Sequence, residues 1–187
     1  MDFETLKWIG DTKGSLELTD QRLLPGQYKK LRCETIEQLY DAIKTLAVRG
    51  APAIGVAAGY GICLAMQSFG GNELKNAVSH LEKNADYLAG SRPTAVNLFW
   101  ALERMKTSAK KFITENAGAS VAELCHALLS EAHAVCKEDR DMCKAIGVNG
   151  QQYIKNDSGI LTHCNAGALA TAGQGTEIGR ASCRERV

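Results

Sequence analysis

Three short runs in this sequence hold residue types that can do chemistry. The first is Thr162-His163-Cys164-Asn165, entered from Ile160-Leu161 and followed by Ala166-Gly167. A brief apolar run closed by a turn of small residues predicts a buried strand feeding a helix. The ends of such strands are where α/β sheets gather ligands and catalytic groups. A thiol placed there can serve as acid or base, or as a nucleophile once deprotonated. His163 alternates with Cys164, so along a strand the two side chains point to opposite faces, which disfavours a thiol–imidazole proton pair. The plain alternative is a buried structural cysteine, a common fate for this residue type.

The other two runs are arginine turns at helix starts. In Val48-Arg49-Gly50-Ala51-Pro52-Ala53-Ile54-Gly55 a guanidinium precedes a predicted helix N-terminus on small residues. The fork of guanidinium donors, the free backbone N–H groups and the helix dipole together suit an oxyanion such as phosphate. Arg49 could instead cap the preceding helix while glycine and proline turn the chain. Gly90-Ser91-Arg92-Pro93-Thr94 repeats the pattern before a helix at Ala95. A polar loop of this kind can also be an exposed turn and nothing more; two in the same domain point toward a phosphate site.

The elements that must hold these runs follow from periodicity. Leu6–Ile9, Ser15–Leu18, Arg22–Leu24 and Tyr28–Arg32 are short runs punctuated by Gly10, Gly14 and Pro25-Gly26, and they predict a small antiparallel sheet. Thr35 with Gln38 forms a capping box ahead of a helix with Ile36, Leu39, Ile43 and Leu46 on one face, ending near Arg49-Gly50. Pro52 suits the first turn of the next helix, whose many small residues allow close backbone approach. Further helices are predicted from Asn72 to Leu88, from Thr94 to about Phe112 with Val96, Phe99, Trp100, Leu102 and Met105 toward the core, and from Ser120 onward. Ser120 with Glu123 is a second capping box, and Gly147 and Gly150 are candidate breaks in that last helix.

The final run, Glu177 to Val187, turns arginine-rich and loses apolar periodicity. One codon choice for it reads as a sequencing-library adapter in frame, so residues 177–187 are expected to be an artefact and are excluded from fold reasoning. The alternative is a genuine basic tail for RNA or acidic partners. Without its three arginines and two glutamates, the 22 basic and 21 acidic residues fall to 19 of each. No charge asymmetry then favours nucleic acid or an anionic membrane. The stretch Ala51 to Met66 is too short and glycine-rich for a membrane span. Seven cysteines without a C-x-x-C pair or a secretory signal at Met1 indicate a reducing cytoplasm, with most thiols acting as small hydrophobes. His80, His126 and His133 lack ligand spacing with them, which disfavours zinc.

Four stretches, in this order, resemble the 5-methylthioribose-1-phosphate isomerase family. They are Asp20-Gln21-Arg22-Leu23-Leu24-Pro25-Gly26, Val48 to Gly55, Ser91-Arg92-Pro93-Thr94-Ala95-Val96-Asn97-Leu98, and Ile160 to Thr171. The resemblance runs from residue 1 to about 176, with Gln174 departing where the family commonly has an aromatic residue. It implies a mixed α/β fold: a small antiparallel sheet plus helices over residues 1–155, then the start of a Rossmann-like domain over 156–176. It further implies a cytoplasmic homodimer acting on a sugar phosphate without cofactor, metal, nucleic acid or membrane. Arg49, Gly50, Ala51 and Arg92 would grip the substrate, and Cys164 would be catalytic, paired with an aspartate of the second domain.

Two other activities stay open within the resemblance. Ribose-1,5-bisphosphate isomerisation would need cations for a second phosphate, and the regulatory subunits of the translation initiation exchange factor act by binding alone. The chain as written is expected to be inactive, because the aspartate partner lies outside it. Sequencing the source locus is expected to diverge after about Thr176; an uninterrupted frame encoding the same tail would contradict the adapter reading.

Overall fold

The computed structural model describes residues 4–155, 159, 161, 165–173 and 175. Strands β1 (Leu6–Ile9), β2 (Ser15–Thr19) and β3 (Lys30–Cys33) form one antiparallel sheet in the order β1-β2-β3. Leu6 faces Leu18, Trp8 faces Leu16, and Leu16 in turn faces Cys33, so one face of the sheet is a continuous apolar layer. Five helices follow: α1 (Ile36–Lys44), α2 (Ala51–Gln67), α3 (Leu74–Ala89), α4 (Val96–Glu115) and α5 (Val121–Gly150). The fold is the small sheet plus helices that the sequence predicts.

Helix α2 is the axis of the packing. Every residue from Ala53 to Met66 is buried, and α4, α5, α3, α1 and the sheet all contact it. A helix that is apolar all round must be enclosed by protein or lipid, and here Trp8 of β1 stacks on Tyr60 at 5.4 Å while the other helices cover the rest. No described helix is long and apolar enough to cross a membrane. The small residues let neighbours close in: a Cβ on Gly61 would meet Leu88 at 2.6 Å and Leu39 at 2.8 Å, and one on Gly55 would meet the Asn97 carbonyl at 3.1 Å.

Both predicted capping boxes form, Thr35 with Gln38 and Ser120 with Glu123. Helix α1 ends earlier than expected, at Lys44. Leu46 adopts φ 64, its N–H reaches Ile43 O at 3.2 Å, and Ala47 N–H reaches Ala42 O at 2.8 Å. This is a left-handed stop with leucine where glycine is usual, and it leaves Leu46 exposed rather than on the core face. Arg22–Leu24 is not a strand. The Arg22 guanidinium folds back on Asp20 at 2.8 and 2.6 Å, and Leu23 N–H bonds the Asp20 carbonyl, so the segment closes as turns.

Helix α4 presents Leu98, Ala101, Leu102, Met105 and Ala109 to the core, whereas Val96, Phe99 and Trp100 are 77%, 44% and 50% exposed. Leu102 and Met105 face the core as expected, and the expectation is corrected at Val96, Phe99 and Trp100, whose places are taken by Leu98, Ala101 and Ala109. Helix α5 passes through Gly147 without a break and ends in a 3₁₀ turn, Gln151–Tyr153. Of the strand expected at Ile160–Cys164 only Leu161 is among the described residues, and it is 99% exposed; Ile160 and Thr162 to Cys164 lie outside them.

Placing a β-carbon on a left-handed residue costs about 1 kcal/mol. Leu46→Gly is therefore expected to stabilise the chain by up to about that amount in a denaturant titration. A loss of stability of similar size would show that the leucine side chain contributes more than its backbone costs.

Candidate functional site

Arg49 and Arg92 stand just before helices α2 and α4, and those helices are left open at their starts. α1 and α5 close their N-termini with side-chain caps and a glutamate in the first turn. α2 begins at Gly50 and α4 at Ala95, neither with a side-chain cap hydrogen bond nor an acidic residue in the first turn. The second turn of α2 touches the first turn of α4 where Gly55 meets Asn97. The two arginine turns therefore sit at one end of the helical layer, with two sets of unsatisfied N–H groups. Arg49 is exposed. Arg92 is half-buried, and its Nη1 is buried with no hydrogen-bond partner among the described residues. A buried cationic donor left unpaired is costly, and an arriving anion removes that cost.

Residues 165–173 and 175 form a strap that returns to this end of the molecule. Ala168–Ala170 is a single 3₁₀ turn, and Ala170, Thr171 and Ala172 are buried. Thr5 Oγ1 donates to Ala168 O at 2.6 Å and Gln21 Nε2 to Leu169 O at 2.7 Å. Ala172 N–H donates to Asp139 Oδ2 at 2.7 Å, and Arg140 Nε reaches Ala172 O at 3.2 Å. Gly50, at φ 94, is pressed against the strap: a Cβ there would lie 2.3 Å from Ala170 Cα. The chain thus brings Arg49, Gly50 and the strap together. A cavity of about 460 Å³ opens beside it, lined by Leu24, Asn165, Gly167, Ala168 and Leu169. Neither arginine is among those lining residues. Ala51 is exposed at the first position of α2. Cys164, with Thr162 and His163, lies outside the described residues.

The described thiols are unsuited to nucleophilic work. Burial pushes Cys33 up to about 11 and raises Cys63, Cys125, Cys136 and Cys143. They are the small hydrophobes that their positions predict. Asp139 is the titratable group that matters here: burial raises its carboxyl above the usual range, opposed by the Ala172 N–H and by Arg140. The sequence reading gave no role to Thr5, Gln21, Asp139 or Arg140. One signal was present, because Asp139 continues the buried α5 stripe of Leu128, Ala132, Val135 and Cys136 toward Cys143, and a carboxylate on an apolar stripe needs a partner.

Residues 47–177, which span the Arg49 turn, the Arg92 loop and the strap, match the initiation factor 2 subunit family. The chain belongs to that family. The 5-deoxyribose 1-phosphate isomerase of Moorella thermoacetica is 46% identical over 94% of this chain and 49% of its own length. The methylthioribose-1-phosphate isomerase of Rhodopirellula baltica is 44% identical over 94% of this chain and 49% of its own. Among solved structures, 5-methylthioribose 1-phosphate isomerase from Pyrococcus horikoshii matches at TM-score 0.79 and 36% identity, covering 92% of this chain and 46% of that one. The translation initiation factor eIF-2B subunit delta from A. fulgidus matches at 0.81 and 37%, covering 98% and 52%. The chain spans about half the length of the relatives it matches.

Two outcomes follow. Gly50→Ala has no room for its methyl group and requires an unfavourable φ, so it is expected to lose more than about 1 kcal/mol of stability and to expose the strap to proteolysis several-fold faster. Unchanged proteolysis would contradict the docking. Asp139 has a folded pKa raised above its unfolded 3.8, so its contribution is complete below that value and is lost as pH rises through the raised one. Denaturation midpoints of the parent chain should therefore fall relative to Asp139→Asn as pH rises above the unfolded value of 3.8; a difference independent of pH would contradict this.

Proposed function

We propose that this chain supplies the phosphate grip and the catalytic thiol of an aldose–ketose isomerase that converts 5-methylthioribose 1-phosphate to 5-methylthioribulose 1-phosphate. One observation carries the reading: the uncapped start of α2, led by Arg49, meets the strap after Cys164 at Gly50, and the uncapped start of α4, led by Arg92, packs beside α2 where Asn97 meets Gly55. Relatives bearing the isomerase name at 43–47% identity support it. The methionine-salvage role, the cytoplasmic location, the homodimer and the domain division at residues 155–156 belong to the same proposal.

The substrate explains the residue types. Phosphate on the anomeric oxygen prevents free ring opening to an aldehyde, so the ring must open as hydrogen moves. The C2 proton is lost and C1 gains one, the bond from C1 to the ring oxygen breaks, the C2 hydroxyl becomes a carbonyl, and its proton ends on the released oxygen. Paired acid and base groups suffice for these transfers. Cys164 supplies one, and a carboxylate that the family resemblance places in its second domain supplies the other. Arg49 and Arg92 hold the phosphate by charge-assisted bonds, with Gly50 and Ala51 offering backbone N–H groups, and this fixes C1 and C2 against the thiol.

In the product of the source gene, Cys164→Ser is expected to lower turnover by about 10²- to 10⁴-fold with substrate affinity held within a few-fold. Activity preserved within a few-fold would refute the thiol's role. Arg92→Ala should instead weaken substrate affinity by about ten- to a hundred-fold, measured by calorimetry. A second reading, 5-deoxyribose 1-phosphate as substrate, is favoured by the name of the Moorella relative, and assays with both sugars side by side separate the two. Absence of sugar-phosphate binding together with stable assembly onto a larger complex would support a regulatory subunit instead.

A further inference from the structure

We infer that Gln21 is the positioning residue that ties the Arg49 phosphate grip to the strap following Cys164. The inference rests on the function proposed above and adds a residue that the reading of the site left without a role. Gln21 is 4% exposed, so its amide must find partners inside the protein. It finds two, from opposite sides. Its Nε2 donates to Leu169 O at 2.7 Å, and its Oε1 accepts from Arg49 Nε in a longer contact of 3.5 Å. Its own N–H donates to Ala47 O at 2.9 Å, which anchors the residue to the turn that delivers Arg49.

This arrangement suits a clamp. Contact through Nε orients the Arg49 guanidinium and leaves its two terminal nitrogens out of that contact. An amide achieves this without neutralising the arginine, whereas a carboxylate at the same place would compete with a phosphate. The other end of Gln21 holds a strap carbonyl five residues after Cys164. Asp20 and Arg22 on either side are bound to each other, so the backbone that carries Gln21 is itself fixed. The Gln21 side chain therefore joins the strap to the Arg49 guanidinium, beside the backbone packing of Gly50 on Ala170, while Thr5, Asp139 and Arg140 hold the strap without touching the grip.

The test uses the 187-residue chain and Gln21→Met, which keeps the volume and removes both bonds. Hydrogen exchange at the Ala170 and Ala172 amides is expected to accelerate at least about ten-fold. Affinity for 5-methylthioribose 1-phosphate should fall about five- to twenty-fold, and in an Arg49→Ala background the same change should cost no further affinity. Faster exchange with unchanged affinity, or an equal loss of affinity in both backgrounds, would reduce Gln21 to a structural residue and overturn the inference. Unchanged exchange would overturn it as well. A parent chain that binds no sugar phosphate would instead defeat the proposed function, and the positioning role with it.

Discussion

No side chain can exist at residue 50, and much of the candidate site follows from that constraint. The backbone there is left-handed at φ 94, and the space of a β-carbon is already filled by Ala170. Contact at this distance makes the turn carrying Arg49 and the strap following Cys164 a single packed unit. The remaining latches come from separate parts of the chain: Thr5 ahead of β1, Gln21 between β2 and β3, and Asp139 with Arg140 on α5. Sheet, central helix and last helix thus all bear on one short stretch of backbone. Close-packed interiors pass displacement along such contacts because they have little room to absorb it.

The same end of the molecule is kept electrostatically open. α2 is enclosed by protein from Ala53 to Met66, so its N-terminus cannot shift to find a partner, and no carboxylate in its first turn satisfies it. α4 begins beside it in the same condition, and Arg92 brings a buried nitrogen that nothing among the described residues accepts from. At several other places the chain completes such bonds. Arg104 is bound by Glu131 and Glu138, Arg22 by Asp20, and the starts of α1 and α5 by capping boxes. Two neighbouring uncapped helix starts with an unpaired guanidinium nitrogen beside them are what the proposed anion site requires.

Much of the scaffold was legible in the residues alone. The two capping boxes, Pro52 at a helix start and the alternating β1 and β2 patterns are local signals, and the structure follows them. Local signals fail where a neighbour decides. The apolar stripe of α4 is real, but periodicity does not say which part of it is covered, and Val96, Phe99 and Trp100 stay exposed. Arg22–Leu24 has the composition of a strand, yet the Asp20 carboxylate two residues earlier captures the arginine and turns the chain. The strap was the hardest part to foresee. Its bonds join residues separated by 148 and 163 positions, and they run from side chains to backbone carbonyls, so no pattern of residue types announces them. The arginine turns and the thiol were found as motifs; what links Arg49 to the strap became visible only in three dimensions.

Amide NMR of the 187-residue chain during titration with 5-methylthioribose 1-phosphate tests the central claim most directly. A single anion-binding end built from the two helix starts and the strap predicts saturable shifts confined to Gly50, Ala51, the Arg92–Asn97 loop and residues 165–172. Shifts that cluster on another surface, or none at millimolar ligand, would contradict it.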